Sequence, residues 1–166
     1  MDFLDEQLYG TSKLEPFRIS MYEMVPYDLP KRVASVVRCL HENAFDTTLS
    51  IGFVLYVCNV TSNSFYFAFK RSCGTTPRRY LSSIRVNGAV LLLVDEQIHI
   101  DSIAVAVGYD NLQTFRNVFK RLTGYTPLST GKAGERSFYH LVGSEHLRTS
   151  IDRVFISTTA RTRRSS

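Results

Sequence analysis

Four polar side chains in the middle of this 166-residue sequence stand at a spacing that suits recognition chemistry: Gln113, Arg116, Asn117 and Lys120. They fall at i, i+3, i+4 and i+7, so one helix face carries all four. Gln and Asn amides pair bidentately with adenine, and Arg reads guanine or grips a phosphate. Lys70, Arg71, Arg78, Arg79, Lys120 and Arg121 cluster near predicted helix ends, where cations meet phosphate oxygens. The competing reading of any such face is a solvated polar surface.

Signals for other chemistry are weak. Gly124 through Gly131-Lys132 has the wrong glycine spacing for a phosphate loop, and Ala133 replaces the required Ser or Thr. No G-x-S-x-G occurs, and His41, His99, His140 and His146 lack partners at metal-ligand spacing. Cys39, Cys58 and Cys73 form no CxxC pair and read as small buried hydrophobes in a reducing compartment. The reading is a non-enzyme with no cofactor and no metal.

Charge points the same way. Residues 1–30 hold 2 basic and 6 acidic groups, residues 31–130 hold 11 and 6, and residues 131–166 hold 7 and 3. An acidic leader thus precedes a basic body and a basic tail, which favours a polyanionic partner, nucleic acid before anionic membrane. The opening Met1-Asp2-Phe3-Leu4-Asp5-Glu6 is no signal peptide, and the apolar run from Ala89 to Val94 is too short to span a bilayer. The expected location is the cytoplasm, on the bacterial nucleoid when bound, with no membrane partner.

The elements that must position these residues come in duplicate. Ser64 to Pro77 recurs as Thr114 to Pro127 at an offset of 50, sharing F-x-x-x-F-K-R-x-x-G-x-T-P with seven identities in fourteen positions. Two copies make a duplicated unit rather than a solenoid. In the second copy Phe115, Val118, Phe119 and Leu122 form a buried helical face. Asp110 is expected to cap the start with Gln113 completing a capping box, and Gly124 to stop the helix. In the first, Thr61 is the expected cap, with Phe65, Ala68 and Phe69 inward and Gly74 as stop.

A shorter apolar-periodic stretch precedes each copy, Ile100 to Tyr109 in the second and Ser50 to Val60 in the first. Gly108 permits the turn between the second pair. Asn59 stands where the first pair would have its glycine, and Asn tolerates the left-handed conformation. Short helix, tight turn and longer helix make a helix-turn-helix. Arg78 to Val94 reads as one long linking helix, with Gly88 in its interior costing roughly 1 kcal/mol relative to Ala. Arg32 to Asn43 makes an amphipathic helix after Pro30. The expected fold is therefore all-α, two tandem helix-turn-helix units joined by a long linker helix. Units at about 31–76 and 77–130 are flanked by the acidic leader 1–30 and the tail 131–166. That tail holds either one short helix on Leu147, Ile151, Val154 and Phe155 or no fixed structure.

These residues resemble the DNA-binding domain of the AraC/XylS transcription regulators over about residues 32–130. The resemblance rests on I-A-x-x-x-G-Y (Ile103, Ala104, Gly108, Tyr109), F-x-x-V-F-K-R-x-x-G-x-T-P (Phe115 to Pro127), P-x-x-Y-L (Pro77, Tyr80, Leu81) and I-R-V-x-x-A-x-x-L-L (Ile84 to Leu93). It implies two units entering adjacent major grooves of double-stranded DNA, and activation through RNA polymerase. Leu112, Gln113, Thr114 and Asn117 coincide with positions that touch bases in that family, with Arg116 beside them. The first unit offers Asn63, Tyr66 and Phe67 instead. Phe67 occupies a position that often holds Arg, and burial is the expected role for it, ahead of contact with a thymine methyl. A second departure follows Pro127, where the family's short closing helix is replaced by Leu128-Ser129-Thr130-Gly131. The alternative is a protein-interaction module, or an inactive fragment, that keeps the fold without DNA specificity. Oligomeric state is not legible.

Overall fold

The computed structural model describes residues 3–23, 25, 28–60, 63–95 and 98–132. Every regular element among them is a helix: α1 (Phe3–Glu23), α2 (Lys31–Asn43), α3 (Ile51–Val57), α4 (Asn63–Cys73), α5 (Pro77–Leu92), α6 (Ile100–Ala106), α7 (Leu112–Thr123) and α8 (Pro127–Lys132). None of the described helices is long and apolar enough to cross a membrane. The proposed cap Thr61 and the proposed helix in the tail lie outside the described residues.

The apolar periodicities pack as two cores. The first gathers Val33, Val36, Val37 and Leu40 of α2, Val54 of α3, Phe65 and Phe69 of α4, and Tyr80, Leu81 and Ile84 from the first half of α5. The second gathers Val86, Ala89, Val90 and Leu92 from the other half of α5, Ile103 and Ala104 of α6, and Phe115, Phe119 and Leu122 of α7. The linker helix thus divides its buried residues between the units. Gly88 lies at that crossing, where an added Cβ would sit 2.9 Å from a Phe45 ring carbon and 3.2 Å from Leu14 Cδ2. The cost of glycine in mid-helix is offset by this close approach.

Local chemistry sets the ends. Ser50 caps α3 by accepting from the Phe53 amide at 3.1 Å, and Thr76 caps α5 with Pro77 in its first turn. Asn59 has φ 53° and Gly108 has φ 93°, so both turns use the left-handed conformation expected of them. Gly124, at φ 82°, ends α7 as its C-cap.

Several expectations are corrected. The α7 cap is Asn111, whose side chain accepts from the Thr114 amide at 2.8 Å, and not Asp110. Gln113 completes no capping box; it donates to Asn117 Oδ1 at 3.1 Å. A short closing helix is present after all as α8, started by Thr126, which accepts from the Ser129 amide at 3.2 Å. Of the cysteines, Cys73 is buried while Cys39 and Cys58 are half-buried. The leader also contains a 21-residue helix, α1, which no periodicity announced. It packs on α6, α2 and α5.

Candidate nucleic-acid interface

The strongly amphipathic α7 decides which residues face out. Phe115 and Phe119 are fully buried, their rings 5.7 Å apart, and Leu122 follows them inward. Opposite them Gln113, Thr114, Arg116, Asn117, Lys120 and Arg121 are exposed, while Leu112 is half-buried against the second core. The Gln113–Asn117 hydrogen bond aligns two amides one helical turn apart, leaving donors and acceptors for a ligand's edge.

The first unit keeps the frame and changes the face. Phe65 and Phe69 repeat the buried pair at 5.7 Å. Lys70 and Arg71 are exposed at the end of α4, as Lys120 and Arg121 are at the end of α7. Phe67 is 79% exposed, so the expected burial is wrong: its Cβ points away from the Phe65–Phe69 stripe and no other described element covers it. Tyr66 is 43% exposed, with its ring edge-on to Phe65. Asn63 opens α4. Phe53, Tyr56 and Val57 on α3 add to the exposed apolar surface of this unit.

Between the units lies an open cleft of about 1200 Å³. Its borders bring together Arg78 and Arg79 in the first turn of α5, the start of α3 at Ser50 and Gly52, and Thr114, Asn117 and Arg121 of α7. Three exposed guanidinium groups and two helix N-termini therefore meet at one concave surface, an arrangement suited to a phosphodiester. Tyr66, Phe67, Lys70 and Arg71 do not border it.

Arg85 is the residue whose role spacing did not reveal. Buried at the cleft floor, it donates from Nε to the Ala44 carbonyl and from a terminal nitrogen to the Asp46 carbonyl, both at 2.7 Å. Its guanidinium stacks 5.3 Å from the Tyr109 ring centre. A Cβ at Gly108 would lie 2.9 Å from that guanidinium. Arg85 thus ties the α2–α3 loop of one unit to the turn of the other, and burial holds its pKa below the usual range. It stood in the sequence as one more basic residue in a helix, with no cue to its direction.

Two helix-turn-helix pairs on apolar cores, a shared linker and a basic cleft define a double helix-turn-helix domain of the DNA-binding kind. Residues 57–133 match the family described as a helix-turn-helix domain. The chain is 32% identical over 91 residues to the raffinose operon transcriptional regulatory protein RafR of Pediococcus pentosaceus, covering 55% of this chain and 32% of that protein. It is 26% identical over 115 residues to the F1 operon positive regulatory protein of Yersinia pestis, covering 69% of this chain and 38% of that protein. The C-terminal domain of AraT, a response regulator from Geobacillus stearothermophilus, has the same fold, with a TM-score of 0.60 at 24% identity over 64% of this chain and 88% of that one. The chain spans about a third of the length of these curated relatives. Through this domain it resembles transcriptional regulators of the AraC/XylS kind.

Proposed function

We propose that the chain is a sequence-specific double-stranded DNA-binding transcription regulator that places α4 and α7 in adjacent major grooves on one DNA face. The observation that carries this is the cleft: Arg78 and Arg79 of α5 and Arg121 of α7 border it beside Thr114 and Asn117, a basic surface suited to the phosphate backbone flanking the groove that α7 enters. Gln113, Thr114, Arg116 and Asn117 read base edges, with Leu112 in apolar contact at the start of the helix. In the first unit Asn63, Tyr66 and Phe67 face the groove, and the exposed Phe67 ring suits a thymine methyl. Lys70, Arg71, Lys120 and Arg121 hold phosphates at the helix ends. The relative named as a positive regulatory protein supports activation, and RNA polymerase is the second partner that an activator of this kind requires.

A second reading has one observation in its favour. The exposed Phe53, Tyr56, Val57 and Phe67 give the first unit an apolar surface that a protein could cover. Selection of bound duplexes from a random library, followed by a salt series on the winners, separates the two. DNA reading requires enriched half-sites about 10 bp apart and an affinity that falls steeply with salt. No enrichment and a flat salt response would leave the protein-interaction reading.

A further inference from the structure

The two cores are distinct, and α5 alone joins them in sequence. A single helix crossing between two units resists bending but leaves their mutual rotation to packing. In this chain a second helix crosses the same boundary. α1 lies along both units by a stripe of Glu6, Gly10, Leu14, Phe17 and Met21. Phe17 and Met21 belong to the first core, and Leu14 to the second.

Each end of α1 is fastened by buried polar bonds. At the first unit, His41 Nδ1 donates to the Met21 carbonyl at 2.8 Å while Nε2 accepts from the Tyr80 hydroxyl at 2.8 Å. At the second, the Glu6 carboxylate, 4% exposed, accepts from the His99 amide at 3.2 Å, from His99 Nδ1 at 2.8 Å and from the Ser102 hydroxyl at 2.8 Å. Glu6 thereby supplies from outside the side-chain cap that α6 lacks at its own start. Those bonds hold the Glu6 carboxyl below, and the His99 ring above, their ordinary pKa ranges. Gly10 faces α6 and α5 closely: a Cβ there would lie in ordinary contact, 3.4 Å from Ala106 Cβ and 3.5 Å from Leu92 Cδ1, which leaves no room for a long side chain. Lys13 pairs with Asp95, to which Tyr9 also donates, adding a tie to the segment between α5 and α6. No α1 residue borders the basic cleft.

We propose that α1 is a brace that sets the separation and relative angle of the two recognition helices, with Glu6 and Gly10 as the residues that seat it on the second unit. The inference rests on the DNA reading above. A frame with two struts admits one separation of half-sites, whereas a single strut admits several. Half-site spacing is then a property of α1 and α5 together, although α1 touches no DNA.

The test uses the full 166-residue chain and duplexes carrying the two selected half-sites with one to five base pairs inserted or removed between them. The wild-type chain should lose roughly 100-fold in affinity at the wrong spacings, because joined units forfeit the advantage of binding together. Glu6→Ala and Gly10→Leu should bind a lone α7 half-site within about twofold of wild type, with the spacing penalty reduced to less than about tenfold. An unchanged penalty in a variant whose α1 has become protease-sensitive would overturn the proposal. So would a variant that loses the lone half-site and the paired site alike, because α1 would then merely support the second unit's folding. A crosslink covers variants that fold poorly. Gly10→Cys with Ala106→Cys, whose Cβ atoms are close enough for a disulfide, is placed in the Glu6→Ala background. Oxidation should restore the wild-type penalty and reduction remove it, with Glu6→Ala alone under the same oxidant as control; equal penalties in both states would overturn the brace. A wild-type chain that selects no duplex would overturn the DNA reading itself, and this inference with it.

Discussion

The two helix-turn-helix units share an interior and differ in their faces. Phe65 and Phe69 in one, and Phe115 and Phe119 in the other, hold the recognition helix by the same buried pair at the same ring separation. Outside, α7 presents Gln113, Arg116 and Asn117 where α4 presents Tyr66 and Phe67. The turns differ as well. Asn59 adopts φ 53° with its side chain intact, while Gly108 is pressed against Arg85 and has no room for one. A duplicated core preserves a scaffold, and the exposed positions are then free to diverge in what they recognise.

That comparison can be broken or sharpened by experiment. The largest effect should come from the shared interior. Phe69→Ala and Phe119→Ala should each cost about 3–5 kcal/mol of unfolding free energy in denaturant titrations, as both rings are fully buried. Costs differing by more than about 2 kcal/mol would deny the two cores their equivalence.

Acid should next test the fastening of α1 at the first unit. Burial pushes the His41 pKa down to about 4 from 6.5. The folded state keeps the ring neutral while the unfolded state takes up a proton below 6.5, so stability is full above that pH and is lost as pH falls toward 4. The loss should be about 3 kcal/mol. Thermal melts of wild type and His41→Gln between pH 7.5 and 4.5 check it, and parallel curves would remove His41 as the cause.

Third is the pair of turns. Gly108→Ala should cost about 2–3 kcal/mol, from left-handed backbone strain and the clash with Arg85, whereas Asn59→Ala should cost about 1 kcal/mol from strain alone. Equal losses in melting experiments would show that Arg85 yields easily.

On the outer faces, Gln113→Ala or Asn117→Ala should relax preference at one half-site by about 1–3 kcal/mol. Lys120→Ala should instead weaken all sequences alike and flatten the salt dependence. Competition binding against mutated half-sites separates the outcomes; unchanged specificity in both amide variants would move base reading elsewhere. The smallest effect should be on stability at Phe67. Phe67→Ala should change unfolding free energy by less than about 0.5 kcal/mol, because the ring is exposed. Any loss it causes in DNA binding would then measure the first unit's own reading of the groove.

The duplicated units were legible because helix packing imposes a period on the residues it buries. Phe115, Val118, Phe119 and Leu122 repeat at helical spacing, and Gly124 marks the stop at which α7 ends. The polar face followed by subtraction. The cap lies one residue beyond Asp110 because Asp110 and Asn111 are equally good acceptors, and only the backbone entering the helix selects Asn111. Phe67 was not legible for a different reason: whether a large ring is buried depends on what stands opposite, and no other described element covers it.

By itself, then, the sequence determined that the chain is helical, duplicated and basic on the faces that look outward, since period, capping residues and charge are local properties. Tertiary structure decided how the two halves are held together. The contact stripe of α1 begins with a glutamate and a glycine, and Pro16 inside the helix removes a backbone donor and costs about 3 kcal/mol in isolation. Such a segment reads as a polar leader. It is a helix because Glu6 finds the amide of His99, Gly10 finds Ala106, and Phe17 and Met21 find the first core. Those partners lie far away in sequence and come together only when the chain folds.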